Sequence, residues 1–289
     1  MNKLIIFSII GFLAQLVDGS LGMGFGATSS SLLLMFGIAP AAASASIHMA
    51  EIATTAASGA SHLWFKNVDK RILWRLTIPG AISAFIGAAF LSSLPGDKIK
   101  PFISVFLIVL GLYILIRFLF FNHSSKNQGA PISSKFLTPL GMVGGFFDAV
   151  GGGGWGPITA PVLIAKNGIS PKKVIGTVDT SEFAIAVSAT LGFILFLGVD
   201  QYQWQWVIAF MIGGVIAAPI AAWLVRIVPS YMLGVLVGGF IILTNSMTII
   251  KTVALPVSFA TLAYVLIIGL WAVAIFYQVK NRKRFVAVH

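Results

Sequence analysis

GFLAQLVDGSLGMGFG, from Gly11 to Gly26, and GMVGGFFDAVGGGGWG, from Gly141 to Gly156, are two copies of one element. At a constant offset of 130, Gly11, Asp18, Gly22, Gly24 and Gly26 fall on Gly141, Asp148, Gly152, Gly154 and Gly156, and Phe25 falls on Trp155. One inserted residue later, Pro40 meets Pro171 and Glu51 meets Glu182. Glycines align by chance in a chain that holds 30 of them, but Asp and Glu together number only 8. Two pairs of acids in register mark a duplication, a plan common among membrane transporters.

Outward from the repeat, lipid is the solvent that the composition requires. Of 289 residues, 58% are hydrophobic and 9% charged, with a mean hydropathy of +0.97. A soluble domain carries about a quarter charged residues. Apolar segments read as 4–17, 27–38, 41–64, 72–93, 99–121, 135–150, 157–166, 172–198, 204–225, 231–250 and 256–278. In each half the first two are shorter than the roughly 20 residues of a bilayer crossing. The glycines between them cost a helix about 1 kcal/mol each, and irregular backbone at membrane depth survives only inside protein or against a wet cavity. Each pair therefore reads as a broken or re-entrant hairpin. The fold expected is an all-α polytopic membrane protein of two inverted repeats, each such a hairpin plus three transmembrane helices, with one extra C-terminal helix. Its divisions are residues 1–121, a cytoplasmic linker at 122–134, residues 135–250, and a final helix with a basic tail at 251–289. Lys3 and the apolar run Leu4 to Val17 imitate a signal peptide, but the run belongs to the repeat and lacks a small-x-small cleavage site, so it reads as part of the mature fold.

Basic residues test the hairpins. With the C-terminus (Lys280, Arg282, Lys283, Arg284) placed in the cytoplasm, the hairpin topology leaves only Lys3, Lys98, Lys100 and Lys251 of the 19 basic residues outside. Single crossings would divide them almost evenly, so the positive-inside rule favours hairpins. It also explains the net charge of +11 without nucleic acid, and the chain reads as a multi-pass protein of the cell (inner) membrane. With no cysteine there is no disulfide and no thiolate site.

The residues that carry chemistry lie at the breaks and on one helix face. Asp18 and Asp148 precede the glycines, where a carboxylate either caps a half-helix or serves as a gate or ion-coupling group. Gly22, Gly24 and Gly26, with Gly152, Gly153, Gly154 and Trp155, are candidate substrate-binding positions, because backbone N–H groups at half-helix N-termini attract anions. Trp155-Gly156-Pro157 reads as a rigid restart of the second half-helix. In segment 41–64, Ser44, His48, Glu51, Thr55, Ser58 and His62 recur at spacings of three and four and so share a face, which in lipid must turn inward. Desolvation makes a charged carboxylate costly, which marks Glu51 and Glu182 as candidate proton carriers; a sodium site is the alternative. Asp179 takes the place of His48 in the second copy, and both join the gating or ion-coupling candidates. One His and one Glu a turn apart make a weak metal signal, so neither a metal nor another cofactor is expected.

At these residues the chain resembles the TauE/SafE sulfite-exporter family of membrane permeases. The match rests on Asp18 with Gly22-x-Gly24-x-Gly26, on Asp148 with Gly151 to Gly154 and Trp155-Gly156-Pro157, and on the Pro40, Pro171, Glu51 and Glu182 positions. The resemblance implies movement of sulfur-containing anions such as sulfite or organosulfonates, coupled to an ion gradient. The first copy, LGMGFG, is poorer in glycine than GGGGWG, which puts equal binding by both halves in doubt. The reading is a secondary transporter exporting or exchanging a small anion with proton coupling, or alternatively sodium. A passive anion channel and an intramembrane acid–base enzyme are the alternatives; no nucleophile-plus-base constellation supports the enzyme, and no GxxxxGK[ST] motif is present to bind ATP.

Overall fold

A computed structural model describes residues 2–120, 132–165, 169–224 and 230–280. The linker as far as residue 131, and Lys126, Lys166, Arg226 and the basic tail from residue 281, lie outside them. The described residues form eleven α-helices: α1 (Asn2–Leu21), α2 (Phe25–Met35), α3 (Pro40–Trp64), α4 (Lys70–Ser92), α5 (Gly96–Phe120), α6 (Ser134–Gly151), α7 (Trp155–Ala165), α8 (Pro171–Phe196), α9 (Trp204–Leu224), α10 (Ser230–Val253) and α11 (Val257–Lys280). The protein is all-helical, and α1, α4, α5, α8, α9, α10 and α11 are long and apolar enough to cross a membrane. α2 and α7 have 11 residues each, about 16 Å at the usual helical rise, half the hydrocarbon thickness.

Local chemistry sets the helix starts. Pro40 and Pro171 occupy the first turns of α3 and α8 after the extended residues Ala39 and Ser170, where the missing proline N–H costs nothing. The Asp69 carboxylate caps α4 by accepting from Arg71 N at 3.0 Å and Ile72 N at 3.2 Å. One expectation needs correction. α1 runs through Asp18 and Gly19 to Leu21, not to residue 17, and so reaches spanning length. In the first pair only the second helix is short, while in the second pair α6, of 18 residues, is not among the spanning helices.

The interior mixes polar with apolar side chains and much of the surface is apolar, unlike a soluble domain. Ile78, Ile82, Ile86 and Phe90 present an exposed stripe along α4, and α11 has 6% of its span buried. Helix partners exchange between the halves: α1 lies along α9 as α6 lies along α4, α3 meets α8, and α5 meets α10. The repeated glycines close the first two contacts. A Cβ on Gly11 would stand 2.8 Å from Phe210 Cα, and one on Gly141 would stand 2.5 Å from Leu76 O. The duplication in sequence is thus a duplication in packing.

Candidate ion and substrate site at the paired helix breaks

Each break begins as a helix ending. Gly22 and Gly152 take left-handed angles (φ 69° and 67°), and Gly22 N donates to Asp18 O as Gly153 N donates to Asp148 O. The same two aspartates then begin the next helix. Asp18 Oδ1 accepts from Phe25 N at 3.2 Å, while Asp148 Oδ1 accepts from Gly154 N at 2.7 Å and Trp155 N at 2.9 Å. The amides that glycine was expected to leave open for an anion at these positions are already engaged by carboxylates of the chain. A negative group at a helix N-terminus is stabilised by the N–H groups and the helix dipole.

The two breaks touch. A Cβ on Gly26 would meet Gly153 Cα at 2.7 Å, Gly152 O at 2.8 Å and Glu51 Oε1 at 2.8 Å. Ser30 Oγ donates across the contact to Gly152 O at 2.5 Å. Trp155 is fully buried, and its indole N–H is shared between Val178 O at 3.1 Å and Ser181 Oγ at 2.9 Å, so its polar edge anchors α7 to α8.

Around this contact the acids gather into two clusters, each mixing the halves. Asp148 of α6 joins His48 and Glu51 of α3; Asp18 of α1 joins Asp179 and Glu182 of α8. Within each cluster the facing atoms lie within 4.8 Å of one another, and every member is buried. In the first, His48 Nδ1 is 2.8 Å from Ser44 O, and Nε2 is 3.0 Å from Asp148 Oδ2 and 3.9 Å from Glu51 Oε2. The carbonyl only accepts, so Nδ1 carries hydrogen, and a second proton lies between Nε2 and Oδ2. The second cluster has no such partner. Asp18 Oδ2, both oxygens of Asp179 and Glu182 Oε2 have no hydrogen-bond partner among the described residues.

The sequence matches the family described as "Sulfite exporter TauE/SafE" over residues 7–248. The chain belongs to the TauE/SafE family. It is also 55% identical over 296 residues, covering 100% of this chain and 99% of its relative, to "Probable membrane transporter protein YtnM" of Bacillus subtilis (strain 168). It is therefore a multi-pass membrane transporter, and family and relative alike indicate a permease rather than an enzyme.

In this TauE/SafE protein the whole seam of α3, from Ser44 to His62, is buried. Its far end holds His62, whose Nε2 donates to Gly19 O at 3.0 Å and whose Nδ1 accepts from Asn67 Nδ2 at 3.1 Å. Gln15, Ser30, Asn67 and Ser181 are further polar side chains around these contacts that the sequence pattern does not single out. Only Gln15 carried a signal, its place one turn before Asp18.

Proposed function

We propose that the chain is a secondary transporter of the inner membrane that exports or exchanges a small sulfur-containing anion, sulfite or an organosulfonate, together with a proton. The two halves are inverted, with the C-terminus in the cytoplasm, and the substrate lies where the two breaks meet. The observation that carries this reading is the double engagement of Asp148, one oxygen on the amides that open α7 and the other sharing a proton with His48.

A carboxylate that takes the full proton gives up the charge that makes it a good acceptor for Gly154 and Trp155. A substrate oxyanion then replaces it on those amides, and Gly153 and Gly154 leave the space a side chain would fill. The head of α7 keeps one negative charge before and after, so the exchange avoids the cost of an uncompensated charge at membrane depth. Glu51 relays the co-transported proton to His48, which passes one proton to Asp148 and is reprotonated, so the site gains one proton with each anion it binds. Direction follows the gradients of anion and proton.

The test is flux of a sulfonate, which stays anionic across the working pH range, through purified protein in proteoliposomes. Wild-type flux should rise with a pH gradient at zero membrane potential. His48→Gln and Asp148→Asn should each lower it roughly tenfold to hundredfold, the worth of one charge-assisted hydrogen bond. Flux that follows membrane potential alone and ignores the pH gradient would put a passive channel in place of the coupled carrier.

A further inference from the structure

We propose that Asp18, Asp179 and Glu182 form a binding site for a hard cation, Na⁺ or a divalent ion such as Mg²⁺ or Ca²⁺, completed by Ser58 and Gln15. The site is distinct from the His48–Asp148 pair.

Three carboxylates converge there from α1 and α8, all buried, with four of their oxygens lacking a hydrogen-bond partner among the described residues. Buried charge without a partner is costly, and carboxylates so placed take up protons or coordinate a cation. The nearby imidazole does not neutralise them. His62 Nε2 is 3.6 Å from Asp179 Oδ2, but its hydrogen is given to Gly19 O and its other nitrogen accepts from Asn67, so the ring is neutral. Among the described residues, no Lys or Arg pairs with the cluster.

A second observation points to a ligand. Ser58 and Gln15 are fully buried, and Ser58 Oγ and both amide atoms of Gln15 have no hydrogen-bond partner among the described residues. They lie close together: a Cβ on Gly19, the residue after Asp18, would stand 3.2 Å from Ser58 Oγ and 3.6 Å from Gln15 Nε2, and turning the Gln15 amide over exchanges that N–H group for the ligating Oε1. Ser58 also lies beside the Asp179 carboxylate. A buried hydroxyl and amide without partners, near carboxylates in the same state, are groups that a bound cation would satisfy. Oxygen-only donors select hard cations over copper or zinc.

Purified protein in detergent is titrated with NaCl, MgCl₂ or CaCl₂, with choline chloride holding the ionic strength. At least one cation should give a saturable rise in melting temperature of several degrees, because a ligand of the native state stabilises it. Asp179→Asn and Glu182→Gln should abolish the rise, and Asp148→Asn should keep it. Ser58→Ala, which leaves every charge in place, should weaken the apparent affinity about tenfold and guards against variants that fail to fold. No rise over choline overturns the proposal and leaves protons as the neutralising ions, as does a rise that survives Asp179→Asn, Glu182→Gln and Ser58→Ala. Binding is read without flux, so a failed sulfonate assay would remove the transport reading and leave this site standing.

Discussion

His48–Glu51–Asp148 and Asp18–Asp179–Glu182 are the same cluster built twice, and they differ by one residue. Where α3 carries His48, α8 carries Asp179. The histidine gives Asp148 a partner for its second oxygen, and the other oxygen holds two amides. Asp18 holds one amide, and its second oxygen has no hydrogen-bond partner among the described residues. The first cluster pairs its aspartate with its histidine and leaves only Glu51 without a hydrogen-bond partner, whereas the second leaves oxygens of all three acids unpartnered among the described residues.

The two breaks differ in the same spirit, and this gives the largest effect. Gly153 has φ 150° and Gly24 has φ 129°. They are not repeat equivalents, because Met23 stands where Gly153 stands in the second copy. An L side chain is barred from that backbone conformation, so the first break makes its second unusual turn one residue later. A Cβ on Gly153 would collide with the backbone of Gly26 and Ala27, whereas one on Gly24 meets only Val237 Cγ1 at 3.4 Å and Val17 Cγ1 at 3.5 Å. Gly153→Ala should therefore lose folded, monodisperse protein, a cost of about 3 kcal/mol or more from strain and overpacking together. Gly24→Ala should lower the melting temperature by the backbone strain alone, about 1–2 kcal/mol. Equal losses in thermal melts of the two variants would show that the breaks do not differ as described.

The next effect comes from erasing the difference between clusters. His48→Asp makes the first a copy of the second, and Asp148 then faces a carboxylate instead of a proton donor. Sulfonate flux at neutral pH should fall about tenfold or more, while the cation-induced rise in melting temperature persists. Loss of the cation response in this variant would mean that the clusters act as one.

Much of this was legible in the sequence because it is carried by pattern. The eleven apolar segments correspond to α1 to α11, and the repeat register placed every acid of both clusters. The inward seam of α3 followed from its spacing. The end of α1 was misread because Asp18 looked like a helix start. It lies in the last turn of one helix and its side chain caps the next, and only the tertiary turn at Gly22–Gly24 makes both roles compatible. The crossing of the clusters between halves was illegible too. Repeat alignment pairs Asp148 with Asp18, but packing of α6 against α3 gives Asp148 to His48. Asn67 and Ser181 carry no periodic signal, since their roles depend on partners distant in sequence, Ala222 O for Asn67 and the Trp155 indole for Ser181.

The smallest effect probes the anchoring of the second break alone. Trp155 divides its indole N–H between Val178 O and Ser181 Oγ, and the first copy has Phe25 at this position, with no N–H to satisfy. Ser181→Ala removes one of two acceptors and leaves the carbonyl in place, so the donor is not orphaned. The expected loss is about 0.5–1 kcal/mol, seen as a drop of a few degrees at most in melting temperature, with cation response and pH-dependent flux unchanged. Trp155→Phe copies the first half and removes the indole N–H from both acceptors, leaving Val178 O only the Ser181 hydroxyl as a side-chain donor, so it should cost more than Ser181→Ala. If the two variants melt alike, the indole N–H contributes nothing to the asymmetry of the breaks, and the tight packing of Gly153 alone accounts for it.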